Sequence, residues 1–205
     1  MVEPRGLPSG RAGRLWLVRR LHAGRRAAEL LDRKVQVLLV ERERFARRRD
    51  RTGERWREAW RLADRWGLRG TMVSGLDEVR RSAPSALARV AVTWASAMGV
   101  TYPATVDCRV PVPSGSDRGP GSVGLAEAAT AYRRAVAAAA DHAAATAACR
   151  LIETEIDETR RRRRAITDRW IPALEARLAR LRQELDETER EEIFRRQRTV
   201  AGDRR

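Results

Sequence analysis

One repeat constrains this sequence more than any other feature: apolar and small residues recur with spacings that alternate between four and three positions. Such spacing averages roughly 3.5 residues and is typical of the seam of a left-handed coiled coil. The seam is polar in the middle of the first stretch, and Gly53 falls there, so we predict that this helix is weakest around Arg47–Gly53. In the stretch from about Arg14 to Trp66 the repeat comprises Leu17, Leu21, Gly24, Ala28, Leu31, Val35, Leu38, Phe45, Trp56, Ala59, Ala63 and Trp66, interrupted by Arg42, Arg49 and Thr52.

A second long stretch, from about Leu125 to Arg196, carries the same spacing after an alanine-rich opening. The block Ala135–Ala148 has strong helix propensity, and we expect little burial of it. Pro172 removes one backbone N–H and crowds the carbonyl of Asp168, so we predict a kink there. The repeat comprises Ile152, Ile156, Thr159, Arg163, Ile166, Trp170, Leu174, Leu178, Leu181 and Leu185.

The segment between the two stretches has a different pattern. Leu87–Trp94 and Val100–Val112 are rich in apolar and β-branched residues, which predicts two short strands joined by a turn at Ser96–Gly99. Pro103 and Pro111 restrict the second strand to an edge role. The Gly, Pro and Ser residues of 113–124 predict a flexible linker.

Each helix has only a narrow apolar stripe and would not be stable alone in water, so we expect the two helices to pair in an antiparallel arrangement. The predicted fold class is all-α dominated, with a long antiparallel coiled coil of the N- and C-terminal helices and a small central β-hairpin region. In this register Trp56 and Trp60 lie near the alanine block, where large side chains fill the space that alanines leave open.

These patterns divide the chain into five parts. We expect a flexible N-terminal tail over 1–13 and an N-terminal coiled-coil helix over 14–70. A central region over 71–124 contains short helices, the hairpin and the linker. The C-terminal coiled-coil helix covers 125–197, and a tail covers 198–205.

The sequence offers no arrangement typical of catalysis, of a cofactor site or of a metal site. It contains no phosphate-binding loop, and His22 and His142 lie on different helices without a second ligand at a suitable spacing. Cys149 is most simply a packing residue, and the paired carboxylates Glu191 and Glu192 are expected to be solvated. We therefore expect no catalytic, cofactor-binding or metal-binding residues, and no enzyme activity.

Cys108 and Cys149 fit no disulfide framework or zinc spacing, so a reduced, cytoplasmic setting is expected. No run of roughly 18 apolar residues occurs, so we expect no direct insertion into a membrane.

Charge allows a nucleic-acid or acidic-membrane partner but does not require one. The chain has a formal net charge of +15, and much of the excess lies in the first helix. The Arg160–Arg164 run is the most suggestive feature, yet Asp157 and Glu158 each precede an arginine by four positions, and Arg164 precedes Asp168 by four. Such pairs stabilise a helix surface, and no aromatic residues alternate with the run to stack on bases.

Both helices resemble one protein family. In the first helix the matching residues are Arg20, Leu21, Leu30, Leu31, Lys34 and Leu38, with Pro8 and Ser9 upstream. In the second they are Glu155, Ile156, 159–162, Ala165, Ile171, Pro172, Leu174, Glu175, Leu185, 189–191, Phe194 and Arg195, and Met98, Gly99, Val100 and Pro103 are similar to the motif of its hairpin. The pattern resembles the D subunits of the V/A-type rotary ATPases (V-ATPases) and ATP synthases, which form the central-stalk shaft.

The sequence departs from the family pattern at several of these positions. Gly24 and Ala27 replace the usual small residues, and Asp32 replaces a common lysine. In the second helix Arg164 stands where asparagine is usual, and Trp170 stands where a β-branched residue is usual.

The resemblance implies a rotor. Its paired N- and C-terminal helices would enter the central cavity of a catalytic A/B-type hexamer, and the end near the hairpin would sit on the membrane rotor through a socket subunit. A small central-stalk protein, the F subunit, would bind alongside. Ion-driven rotation would be coupled to ATP synthesis or hydrolysis, with the nucleotide and ion sites on other subunits. The complex would lie, as a peripheral assembly, on the cytoplasmic side of the cell membrane.

Two alternatives of another kind remain open. The chain could be a freestanding basic coiled-coil module that binds nucleic acid, or an adaptor that binds an acidic membrane surface. Steep salt-dependent binding to DNA would favour the first alternative, whereas co-purification with a small partner and a nucleotide-binding hexamer would favour the rotor.

Overall fold

The computed structural model describes residues 10–84, 86–111 and 119–202, with side chains to residue 198. Three helical elements and one hairpin follow in chain order: α1 (Gly10–Arg81), β1 (Arg89–Ala97), β2 (Val100–Arg109), α2 (Val123–Arg164), a π-helical segment (Ala165–Trp170) and α3 (Ile171–Gly202). The predicted fold class is confirmed. Of the expected tails over 1–13 and 198–205 and the expected linker over 113–124, residues 1–9, 203–205 and 113–118 lie outside the described residues. Residues 10–13 and 198–202 belong to α1 and α3, and residues 123 and 124 belong to α2.

Contacts divide the described chain into two compact units. Unit 1 comprises the described residues of Met1–Gln36 and Asp157–Arg205, and unit 2 comprises Val37–Ile156. Helix α1 contributes residues to both units.

Unit 1 is an antiparallel pair of helices. Arg11 contacts Glu189 at 2.9 Å, and Arg25, further along α1, contacts Glu175, which comes earlier in α3. The seam positions Leu17, Ala28 and Val35 are buried, as is Leu178 on α3. The heptad spacing therefore identified the buried side of both helices.

Unit 2 pairs the rest of α1 with α2 in the same antiparallel sense, and its core lies between these helices and the hairpin. One cluster contains Leu38, Phe45, Val100, Ala148, Cys149, Ile152 and Ile156. A second cluster contains Ala63, Ala131 and Ala135, with Ala59 and Trp66 packed against it. The expectation of little burial in the alanine block was wrong for one side of α2, where Ala135, Ala144, Ala145 and Ala148 are buried because small side chains let α1 approach closely.

The start of α2 has a local explanation. The Ser122 hydroxyl accepts a hydrogen bond from the backbone N–H of Leu125 at 3.3 Å, which satisfies a donor that the first helical turn leaves unpaired. The same hydroxyl lies 2.7 Å from that of Ser74 on α1. The cap therefore also fixes the level at which α2 begins beside α1.

Helix α1 is continuous through Arg47–Gly53, where the sequence predicted its weakest part. The backbone leaves the helical region instead at Gly75, with φ 76° and ψ 162°. A positive φ of this kind is accessible to glycine at little cost. Gly53 itself is buried.

The hairpin matches the predicted strands closely. Strands β1 and β2 pair in an antiparallel arrangement, and the turn residues Met98 and Gly99 both have positive φ, 52° and 83°. Two consecutive positive φ values are typical of a type I′ turn, whose twist suits a two-residue hairpin. The register shifts between Thr93 and Trp94, opposite Pro103, and this β-bulge accommodates a residue that cannot donate a ladder hydrogen bond.

The ladder is interrupted ahead of Pro172, where the sequence predicted a kink. The six residues Ala165–Trp170 form a π-helix, and the N–H of Ile171 donates to the carbonyl of Ile166. The wider turn suits a position just ahead of a residue that lacks an N–H. The hydroxyl of Thr167 also donates to the carbonyl of Arg163 at 3.1 Å. None of the residues of this π-helical segment is buried, so the buried seam is interrupted here.

Within the described ranges, no helix combines the length and the apolar composition that crossing a lipid bilayer requires.

Candidate functional site

The two histidines occupy different environments. His22 is exposed on α1. His142 on α2 lies between the helices of unit 2, stacked on Trp56 with ring centroids 5.5 Å apart, and its Nδ1 lies 3.2 Å from the carbonyl of Arg49. Because a carbonyl only accepts, this contact favours the proton on Nδ1. Among the described residues, no group of three or more His, Cys, Asp or Glu side chains is arranged to hold a metal ion.

Both cysteines are free thiols, and Cys149 is the more enclosed. Burial raises the pKa of the Cys149 thiol, and the nearby Glu153 carboxylate raises it further. The thiol donates towards Glu153 at 3.6 Å, and an Arg49 N–H points at the sulfur from 3.9 Å. A thiol held neutral in this way is a poor nucleophile, so the geometry suits a packing role.

Two arginines of the Arg160–Arg164 run, Arg162 and Arg163, form ion pairs with carboxylates. Arg162 pairs with Glu158 at 3.6 Å along the same helix, as the spacing predicts. Arg163 is half-buried and forms an ion pair across the seam with Asp32 of α1. The carboxylates Glu191 and Glu192 are exposed, and Glu191 pairs with Arg195 at 3.2 Å. Part of the run therefore holds the helices together, which leaves less free positive charge for an external polyanion.

The four arginines in the neighbouring pairs Arg19–Arg20 and Arg25–Arg26 of α1 fall into two groups. Arg19 and Arg26 carry exposed side chains on α1. Arg25 pairs with Glu175 at 2.7 Å, and the Arg20 guanidinium lies between the rings of Trp16 and Trp170, 5.5 Å and 5.3 Å from their centroids. Two of these four arginines thus stabilise the pairing with the C-terminal segment, and the other two face outward.

A cavity of about 440 Å³ lies in unit 2, near the end of α1 and the start of α2. Its lining is mostly apolar and includes Leu68, Pro111 and Leu125, with Asp64 and Arg133 among the polar groups. No histidine or cysteine is among the described residues that line it. Sequence patterns do not indicate this cavity, because its walls come from separate parts of the chain.

Two comparisons bear on the family. The family model described as the D subunit of ATP synthase matches residues 15–201. The chain belongs to this family of ATP synthase D subunits. The match covers both of the paired helical stretches and the hairpin, so the resemblance noted in the sequence is confirmed, and the chain has the role of a subunit of a rotary ATP synthase. A search of curated proteins gave no match.

The most specific side-chain geometry of this D subunit was missed by sequence reasoning. A glycine of α1 faces an aromatic ring of the partner helix in three places: Gly24 and Trp170, Gly53 and His142, Gly67 and Tyr132. Glycine in the interior of a long helix lowers its stability. The presence of these glycines could therefore have indicated that another side chain packs closely against the backbone of α1.

Proposed function

We propose that this chain is the central-stalk shaft of a V/A-type ATP synthase or ATPase, a non-catalytic rotor that couples ion-driven rotation to ATP synthesis or hydrolysis in a catalytic hexamer. The observation that carries the proposal is the family match over residues 15–201, which covers both helical segments that pair in antiparallel fashion. A shaft needs paired, stiff helices more than it needs a reaction site. Two helices joined by a seam of buried residues supply that stiffness.

The partners follow from the same proposal. The paired N- and C-terminal segments of unit 1 are placed inside the catalytic A/B-type hexamer, and the small F subunit binds alongside the shaft. A socket subunit connects the hairpin end to the membrane rotor, so that the complex is peripheral on the cytoplasmic side of the cell membrane. In this proposal the chain itself does not insert into the bilayer and does not bind nucleic acid.

The decisive experiment is co-purification. The full tagged chain is expressed together with the hexamer subunits and the small partner subunit of its own organism, and the complex is weighed by native mass spectrometry. We expect one copy of this chain in a complex that hydrolyses ATP. Recovery of the tagged chain alone, while the hexamer assembles without it, would overturn the proposal.

Exposed arginines of α1 give a sharper test. Arg19 and Arg26 face outward, so in the assembled complex they are placed to face acidic loops of the hexamer. We predict that the double variant Arg19→Glu/Arg26→Glu lowers the number of ions pumped per ATP hydrolysed, because repulsion replaces attraction at the sliding contact. The measurement is proton pumping and ATP hydrolysis in the same reconstituted vesicles.

A matched control reverses two other exposed arginines of α1, Arg57 and Arg61, in unit 2. This control has the same change in net charge and should leave coupling closer to that of the unaltered complex. An equal pumping ratio in both variants would argue against the electrostatic contact.

A further inference from the structure

The three glycine–ring pairs share one geometry. A methyl carbon added to Gly24 would overlap the ring of Trp170, one added to Gly53 would lie 3.1 Å from Cε1 of His142, and one added to Gly67 would lie 2.7 Å from Oη of Tyr132. All of these distances are shorter than ordinary carbon contacts of about 3.5–4.0 Å. The rings of Trp170 and Tyr132 therefore occupy space that a Cβ would need, and a Cβ at position 53 would displace the ring of His142 by a few tenths of an ångström.

A tryptophan of α1 also lies next to two of these rings and is linked to the third. Trp56 stacks on His142 with an interplanar angle of 18°, and Trp60 meets the ring of Tyr132 edge-on at 78°. In unit 1, Trp16 is linked to Trp170 through the Arg20 guanidinium between them. Movement of a ring along α1 would break these contacts and take the ring away from its glycine.

An ordinary heptad seam does not prevent such movement. Because apolar residues repeat every seven positions, a helix displaced by one heptad, roughly 10 Å, again places apolar residues against apolar residues. The seam of this chain is also polar at Arg42, Arg49 and Thr52, which reduces the apolar contact between the helices. A displacement by one heptad would nevertheless bring each ring against a residue larger than glycine. The residues seven positions from the three glycines are Leu17 and Leu31, Ala46 and Trp60, and Trp60 and Ser74.

We propose that the pairs Gly24–Trp170, Gly53–His142 and Gly67–Tyr132 are register locks, which prevent axial sliding of α1 against the C-terminal helical segments. One lock lies in unit 1 and two lie in unit 2. The locks make a force along one helix act on its partner without slippage. This inference depends on contacts within the chain alone and does not require the proposed rotor function.

The first test asks whether replacing glycine with alanine raises or lowers the melting temperature. Replacing glycine with alanine inside a helix ordinarily stabilises it. We expect Gly24→Ala and Gly53→Ala each to lower the melting temperature of the full chain by several degrees, because the added methyl displaces the opposing ring. In chains whose ring is already truncated, Trp170→Val or His142→Ala, the same glycine substitutions should raise the melting temperature. If either glycine substitution raises it in the unaltered chain as well, that pair is not a lock.

The second test measures register directly. In a Cys108→Ser background, Ser74→Cys and Ser122→Cys report the native register, because the two hydroxyls lie 2.7 Å apart. The pair Ser74→Cys and Ala129→Cys reports a helix displaced by one heptad. We expect the first disulfide alone in the otherwise unaltered chain. Adding His142→Ala and Tyr132→Ala should lower its yield severalfold and allow the second disulfide to form.

A control separates register from stability. Trp66→Ala removes a large ring of α1 from the alanine cluster of unit 2 and leaves all three glycine–ring pairs intact. We expect it to lower the melting temperature while the pattern of disulfides stays native. If the ring-truncated chain forms the same disulfides as this control, the proposal is wrong.

Discussion

At the scale of single residues, Cys149 shows how burial sets chemistry. The side chain is almost fully enclosed between α1 and α2, and its pKa is raised chiefly because the thiolate would lose its hydration. The Glu153 carboxylate acts in the same direction, while Arg49 and Arg42 oppose it. The folded chain therefore holds the thiol proton more tightly than the unfolded chain does.

This difference predicts a pH dependence of stability. A raised pKa contributes stability that is fully present below the ordinary value of 9.0 and is lost as the pH rises towards the higher folded value. We expect the free energy of unfolding to fall more steeply above pH 9.0 in the unaltered chain than in Cys149→Ala, measured by urea denaturation across the alkaline range. Parallel curves for the two chains would contradict the raised pKa.

Three of the departures from the family pattern have a structural explanation. Gly24 and Trp170 both differ from the usual residues, and the structure places the large ring in the space of the missing side chain. Asp32, where lysine is common, forms an ion pair with Arg163. The sequence shows each departure but not the pairing, because two residues more than a hundred positions apart meet only once the antiparallel register is known.

At the scale of elements, most of the helical seam could be predicted. Ile152 and Ile156 follow the four-three spacing, and both are buried in the core of unit 2. The spacing does not predict burial within Ala165–Trp170, because a π-helix changes the number of residues per turn, and a seam residue is buried again at Leu178. A single proline does not indicate in advance whether a helix will bend sharply or widen into such a turn.

A neighbouring pair of residues tests the seam on α2. Ile152 is fully buried, whereas the adjacent Leu151 is 40% exposed. We expect Ile152→Ala to lower the free energy of unfolding by about 2–5 kcal/mol, because it leaves a cavity in the core. Leu151→Ala is the matched control and should cost about 0.5 kcal/mol or less, as surface substitutions usually do. Equal losses in chemical denaturation would show that the assigned helix face is wrong.

The hairpin was predictable in outline for local reasons. β-Branched residues and the Met-Gly turn indicate two strands whatever the surroundings. The packing of the hairpin against α1 was not predictable. Val100 is buried with Leu38 and Phe45, and the ring of Tyr102 meets that of Phe45 edge-on with centroids 4.7 Å apart. Nothing local in the strands indicates which part of α1 they cover.

At the scale of the whole molecule, the net charge of +15 would attract polyanions such as nucleic acid. Many of the arginines are committed to ion pairs, including Arg11 with Glu189, Arg25 with Glu175 and Arg163 with Asp32. Exposed pairs of this kind contribute only about 0.2–1 kcal/mol each to stability, but they reduce the positive charge available to a phosphate backbone. These particular arginines are less available to a phosphate backbone, while the net charge of +15 is unchanged by pairing within the chain.

The proposed shaft role predicts weak binding to DNA with a shallow dependence on salt. We expect the purified chain to bind a random DNA duplex only at low ionic strength, followed by fluorescence anisotropy. A dissociation constant that stays tight at physiological salt, with a slope equivalent to about six or more phosphate contacts, would instead support the nucleic-acid alternative.

The π-helical segment determines where the chain can lose a residue without disrupting the pairing of its helices. A π turn holds one residue more than an α turn, so deletion of a single residue within Ala165–Trp170 would leave an ordinary α-helix there. The faces of α2 and α3 on either side would keep their orientation towards α1, whereas the same deletion elsewhere would rotate every later side chain by about 100°. Changes in chain length are thus tolerable at this site and disruptive beyond it, which makes Ala165–Trp170 the natural place for insertions and deletions to accumulate.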